Sequence, residues 1–234
     1  MTGTFTVPAL TTAATCSEIM SEWVGIDGLD NASLIQAGIG EGMTNLENGT
    51  CTPGQFYIYP WWEILPASET IIPSTSVAVN VGDQITVTIK QIGETTNWQI
   101  ALTDDTDGQS FTTEQVYTGV GNSAEWIVEA PDDPSLCGTG VYPLDPGICP
   151  LAPYSPDINF TDLVATGSET TMWQLFMVQD NVFVSVPSTF TANSFTASYG
   201  SVQAGTDATN ATGTAQLAQS RQPVKTFMPD VYEK

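Results

Sequence analysis

Apolar and polar residues alternate with a period of two along most of this chain, and helical periodicity is scarce. Ala124-Glu125-Trp126-Ile127-Val128-Glu129-Ala130-Pro131 is the clearest case. Successive strand side chains point to opposite faces, so Trp126 and Val128 share one face while Glu125, Ile127 and Glu129 share the other. Pro131 has no N–H for a ladder and marks the strand's end. In Glu22 to Gly28, Trp23, Gly25 and Asp27 share a face and Val24 and Ile26 the opposite one; Gly25 clears space between Trp23 and Asp27, and Asp27-Gly28 reads as a turn. Further strands are predicted at Thr4–Pro8, Leu34–Gly38, Phe56–Pro66 (with Trp61, Glu63 and Leu65 on one face), Ile85–Ile89, Trp98–Leu102 and Phe111–Tyr117, then at 158–166, 172–178, 181–186 and 194–200. Residues 201–234, rich in Ala, Thr, Gly and Gln, read as a flexible tail or linker. The pattern predicts an all-β protein with one domain over residues 1–200, long enough for a sizeable core.

Charge narrows the partners. Twenty-six acidic residues stand against four basic ones. Three of those four, Arg221, Lys225 and Lys234, fall in the tail, which leaves Lys90 in the body. Nucleic acid and anionic membranes are poor partners for such a surface, whereas an acidic medium neutralises it. No run of about 18 apolar residues could span a membrane. No signal peptide precedes the domain, and Met1-Thr2-Gly3-Thr4 reads as the start of a trimmed chain. The absence of histidine excludes Ser-His-Asp and Cys-His catalysis and the commonest zinc sites. The acidic turn Asp104-Asp105-Thr106-Asp107-Gly108 lacks the register of a calcium loop and its later glutamate, so no metal and no cofactor is expected. Four cysteines without a Cys-x-x-Cys pair read as two disulfides, Cys137–Cys149 across a Pro- and Gly-rich loop and, by elimination, Cys16–Cys51. With Asn-x-Ser/Thr sequons at Asn31, Asn48, Asn159 and Asn210, they favour a secreted, monomeric glycoprotein.

Candidate chemistry comes from four motifs in order: Trp23-Val24-Gly25-Ile26-Asp27-Gly28, Leu34-Ile35-Gln36-Ala37-Gly38, Trp61-Trp62-Glu63 with Pro66, and Ala124-Glu125-Trp126-Ile127-Val128-Glu129. Together with Thr6-Val7-Pro8 they resemble the glutamic peptidases, the eqolisin family, over roughly residues 4 to 200. The resemblance implies a double β-sandwich of two curved, antiparallel, seven-stranded sheets, of the concanavalin A-like lectin/glucanase type, and agrees with both disulfides. It also implies an acid endopeptidase acting on polypeptides, with Gln36 and Glu129 as the catalytic dyad. Glu129 would be the general base on a water and the Gln36 amide the oxyanion donor. Trp23, Asp27, Trp61, Glu63 and Glu125 would support water and substrate. An ordinary Glu129, with a pKa near 4, would suit acid conditions.

The chain departs from the family pattern at several places. Gly40 stands where members carry an aspartate, Trp62 where they carry tyrosine, Leu65 where an aromatic is common, and the family's first strand is missing. The Asp132–Pro153 loop is placed to overhang the cleft. Two other readings are open. A retaining glycosidase would need carboxyls about 5 to 5.5 Å apart. Glu125 and Glu129, four residues apart on one strand, are about 13 Å apart at Cα. An inactive binding module would have no need of both Gln36 and Glu129.

Overall fold

The computed structural model describes residues 1–203, apart from 12–13, 30, 46–48, 138–147, 168–171 and 180–181. In chain order its strands are β1 (Thr2–Thr6), β2 (Ala9–Leu10), β3 (Ile19–Asp27), β4 (Leu34–Gly42), β5 (Thr44–Asn45), β6 (Thr50–Cys51), β7 (Tyr57–Ile64), β8 (Thr70–Ile71), β9 (Gln84–Gln91), β10 (Asn97–Asp104), β11 (Gln109–Val116), β12 (Ala124–Glu129), β13 (Tyr154–Ser155), β14 (Ile158–Val164), β15 (Met177–Gln179), β16 (Val182–Pro187) and β17 (Phe195–Gln203). One helical turn, α1 (Pro134–Cys137), follows β12. No helix of the described residues is long and apolar enough to cross a membrane.

The strands form an antiparallel sandwich of unequal sheets. The larger has eight strands in the order β11-β10-β9-β1-β14-β17-β16-β15 and the smaller five, in the order β12-β3-β4-β7-β8. The expected seven-plus-seven division is therefore replaced by eight and five among the described residues. Two more two-stranded pairs, β2 with β13 and β5 with β6, lie beside them.

Alternation decides which residues meet between the sheets. Phe5, Ile85, Val87, Ile89, Ile100, Leu102, Ile158 and Phe160 come from the large sheet, and Met20, Val24, Ile26, Ile35, Ala37 and Ile39 from the small one. These side chains are nearly or fully buried. Burying a side chain of this size stabilises by about 1.5–3 kcal/mol. β3 and β4 are buried at every position, because the outer face of the small sheet is covered too. There Trp23, Leu34, Trp61 and Leu65 pack into a second apolar cluster. Leu65 thus replaces the family's usual aromatic as a packing residue.

Both disulfides are formed, Cys16–Cys51 with Cα atoms 5.8 Å apart and Cys137–Cys149 with 5.2 Å. The strand expected at 172–178 is confined to Met177–Gln179. β17 runs through Gln203, past the expected boundary at 200. The remainder of the tail, 204–234, lies outside the described residues, as do the sequons at Asn48 and Asn210. Asn159 is exposed on β14, whereas the Asn31 amide donates to Asp27 Oδ1 at 3.2 Å and to Asn122 Oδ1 at 2.9 Å.

Candidate active site

The outer face of the small sheet collects the site residues in three rows across the strands. Register aligns Glu125, Gly25, Gln36 and Glu63 in one row, Ile127, Trp23, Gly38 and Trp61 in the next, and Glu129, Ser21, Gly40 and Tyr59 in the third. Every side chain of these rows shares one face because two-residue steps along each strand keep it there. Glycines let the strands approach. A Cβ on Gly38 would collide with the Glu22 carbonyl and the Trp23 backbone, and one on Gly25 would enter the Trp23 ring, which occupies the space that Gly25 leaves.

The buried Trp23 indole reaches down one row and donates from Nε1 to Glu129 Oε2 at 2.6 Å. Gln36, 4% exposed, donates from Nε2 to Glu63 Oε2 at 2.6 Å, and its Oε1 is buried without a partner among the described residues. Trp61 Nε1 donates to Ser21 Oγ at 3.1 Å, and that hydroxyl donates to the Ile39 carbonyl at 2.7 Å. Among the described residues no hydrogen bond joins Gln36 directly to Glu129. Glu63 connects them, accepting from the first and acting on the second by charge.

The electrostatics overturn the expectation of an ordinary glutamate. Surrounding protein desolvates Glu129 and pushes its pKa up to about 7; the Trp23 N–H opposes the rise, while the charges of Glu63, Glu69 and Asp132 add to it. Burial likewise raises Glu63, against the pull of the Gln36 amide. Glu125, 6% exposed, is pushed up to about 8 by burial, with the Asp27 and Glu129 charges adding to the rise and the Ser123 hydroxyl opposing it. No side-chain cation reaches the cleft from the described residues, whose one lysine, Lys90, belongs to the far sheet. Carboxyls crowded without counter-charge hold protons that isolated ones would lose.

Asp27 is fully buried at the end of β3, with φ of 71°. It accepts from Tyr117 Oη at 2.5 Å and from the Gly121 and Asn122 N–H groups, each at 2.9 Å. Its carboxylate therefore ties the 117–122 segment to the sheet and acts on the cleft through Glu125. Asp27 and Gly28 both adopt positive φ where β3 ends.

The sequence reading passed over Tyr59, Ser21 and Glu69. Parity along β7 places Tyr59 with Trp61 and Glu63, so its signal was present. A Cβ on Gly40 would overlap the Tyr59 ring and hydroxyl, so tyrosine fills the space where family members carry an aspartate. Gly40→Asp should then destabilise the protein by about 1–3 kcal/mol in urea unfolding at pH 5. Tyr59→Ser in the same chain should recover most of that loss; a lone Gly40→Asp with unchanged stability would show that the ring moves aside freely. Of the loop after β12, Asp132 pairs with Ile148 in an isolated bridge and Cys149 is tied to Cys137; residues 138–147 lie outside the described residues. Asp132 and Asp133 lie close enough for their charges to act on Glu129 and Tyr59. A groove of about 1200 Å³ along β12, lined by Glu125, Trp126, Val128 and Trp173 among others, contains neither Gln36 nor Glu129.

No curated protein sequence matches the chain. Among solved structures, scytalido-glutamic peptidase with a transition state analog inhibitor superposes with a TM-score of 0.64 at 20% identity, over 85% of this chain and 91% of that one. Aspergilloglutamic peptidase from Aspergillus niger gives 0.60 at 22%, over 78% and 99%. SCP-B, a member of the eqolisin family in a complex with the tripeptide Ala-Ile-His, gives 0.58 at 20%, over 85% and 90%. At such identities these establish the sandwich fold. The sequence profile of the peptidase A4 family spans residues 1–199, and the chain belongs to that family of peptide-bond hydrolases.

Proposed function

We propose that the protein is a secreted endopeptidase that cleaves polypeptides in acid, with Glu129 as general base and Gln36 as oxyanion donor. The observation that carries the reading is the Trp23–Glu129 hydrogen bond beside a buried Gln36 amide on one sheet face. The indole holds one carboxylate oxygen and orients the other toward a water. As that water attacks the scissile carbonyl carbon, its proton passes to Glu129 and the carbonyl π electrons move to oxygen. Gln36 commits one N–H to Glu63, and the second meets the oxyanion. Collapse breaks the C–N bond, and Glu129 returns the proton to the leaving amine.

Acid operation is supported by the charge balance, 26 acidic residues against four basic ones, whose mutual repulsion falls as the carboxylates neutralise. Within the cleft, burial raises Glu63 and Glu129 alike, the Gln36 amide pulls the first back and the Trp23 N–H the second, and protonation of Glu63 would lift its charge from Glu129. Two disulfides support an oxidising, extracellular setting, and exposed Asn159 is the described sequon best placed for a glycan.

The test is digestion of an unfolded polypeptide from pH 2 to pH 7, with and without pepstatin. Cleavage confined to acid, indifferent to this aspartic-protease inhibitor and reduced about 10²–10³-fold in kcat by Gln36→Ala, is the expected result. Undiminished cleavage by Gln36→Ala would remove Gln36 from the mechanism. A folded protein inert at every pH would make it a binding module.

A further inference from the structure

We infer that Asp83, Asp104 and Asp107 form a divalent-cation site of the calcium type, on the large sheet and independent of the peptidase reading. One carboxylate oxygen from each lies within 4.8 Å of the other two. Two oxygens on opposite sides of a calcium ion, at 2.3–2.6 Å each, are about 4.6–5.2 Å apart, so the spacing accommodates that ion.

The three residues come from two places that the sequence keeps apart. Asp104 ends β10 and Asp107 sits in the hairpin turn before β11, while Asp83 immediately precedes β9. Antiparallel pairing sets Asp104 opposite Ile85, and the Asp105 N–H donates to the Gln84 carbonyl at 2.8 Å, which closes the hairpin turn over the start of β9. Asp83 therefore supplies in space the acidic ligand that the turn lacks downstream in sequence.

The decisive feature is Asp104. Its side chain is fully buried, and Oδ1 accepts from the Thr106 and Asp107 N–H groups at 2.8 and 3.2 Å. Oδ2 is buried as well and meets no donor among the described residues. A buried carboxylate oxygen without a donor is strongly unfavourable unless a proton or a cation satisfies it. Asp83, 6% exposed, brings a second buried carboxylate to the same place, with Asn80 donating to its Oδ2 from the backbone at 2.7 Å. Lys90, the one side-chain cation among the described residues, lies about seven residues along β9, roughly 20 Å away. Asp107 is exposed, so water can complete the shell from outside. Three carboxylates with irregular geometry suit calcium better than magnesium, which demands a near-ideal octahedron and is held by one or two carboxylates.

The test uses the full chain, stripped with a chelator and titrated calorimetrically with CaCl₂ at pH 7. Thermal unfolding is followed in parallel with CaCl₂, MgCl₂ or NaCl at matched ionic strength. One saturable site with a Kd of about 10⁻⁴–10⁻³ M is expected, with a rise of several degrees in Tm that NaCl does not reproduce. Asp107→Asn, an exposed and structurally mild change, should weaken binding at least about tenfold, and Asp104→Asn should abolish it. No saturable heat up to about 10 mM CaCl₂ would overturn the proposal. So would an equal Tm rise in NaCl, or unaltered calcium binding by Asp107→Asn.

Discussion

Glu129→Gln is expected to lower kcat for an unfolded polypeptide by about 10³-fold or more, with KM little changed. The substitution keeps size and shape, and the new amide oxygen can still accept from Trp23 Nε1, so the cleft should persist while proton transfer is lost. The pH profile supplies an independent reading. A base must be ionised, and Glu129 in its resting cleft is pushed up to about 7. Below its effective pKa, kcat/KM should fall about tenfold per pH unit. Discharge of neighbouring Glu63, Glu69 or Asp132 would move that limb to lower pH, since their charges contribute to the rise. Trp23→Phe removes the one hydrogen bond that favours the carboxylate, so the limb should move to higher pH. Cleavage that survives Glu129→Gln would assign the base to another carboxyl, with Glu63 the first to examine. A limb unmoved by Trp23→Phe would show that the indole does not hold the reacting carboxylate.

The second large effect concerns the fold itself. Glu22 and Glu41 point away from the cleft, into the core between the sheets, at 0% and 1% exposure. Register places Glu22 opposite Ile39 and Glu41 opposite Met20, which makes the two carboxyls diagonal neighbours on β3 and β4. None of their four oxygens has a side-chain hydrogen-bond partner among the described residues, and a proton on one carboxyl can supply a hydrogen bond to the other. Burial and mutual repulsion raise Glu22 well above its ordinary value, and burial pushes Glu41 up to about 8. A carboxyl whose folded-state pKa is raised is protonated in the native protein while the unfolded chain has already lost its proton. Stability is then full below about pH 4 and declines as pH rises toward 8. At about 1.4 kcal/mol per pKa unit, the rise of Glu41 from 4.5 to about 8 corresponds to on the order of 4–5 kcal/mol across that window. Glu125 and Glu129 act in the same direction.

Urea unfolding should therefore show greatest stability near pH 4 and a loss of several kcal/mol by pH 8, enough to unfold an ordinary domain. Glu41→Gln, whose amide can donate to Glu22, should match the wild type at pH 4 and exceed it clearly at pH 8. A flat profile from pH 4 to pH 8 in the wild type would refute the buried, protonated pair. The same chemistry would favour acid surroundings through the protein's stability.

Much of this was legible in the sequence because strand geometry is local. A two-residue period assigns faces without knowledge of neighbours, so the all-β class, the shared face of Trp23 with Asp27 and of Trp61 with Glu63, and the inward Val24 and Ile26 all follow from order along the chain. The same parity put Tyr59 beside Trp61 and Glu22 beside Val24, although their importance was not evident from it. Motif resemblance carried the family, and cysteine count and spacing the two disulfides. What order along the chain could not decide was which strands become neighbours, since pairing joins residues tens of positions apart. The eight-and-five division of the sheets, the Trp23 bond to Glu129, the Gln36 bond to Glu63 and the approach of Asp83 to Asp104 all depend on that pairing. So do the proton affinities, because burial and neighbouring charges exist only once the sheets are assembled. The sequence alone determined which carboxylates the protein possesses; the tertiary structure decided which of them meet, and meeting without counter-charge is what turns ordinary glutamates into proton-holding ones.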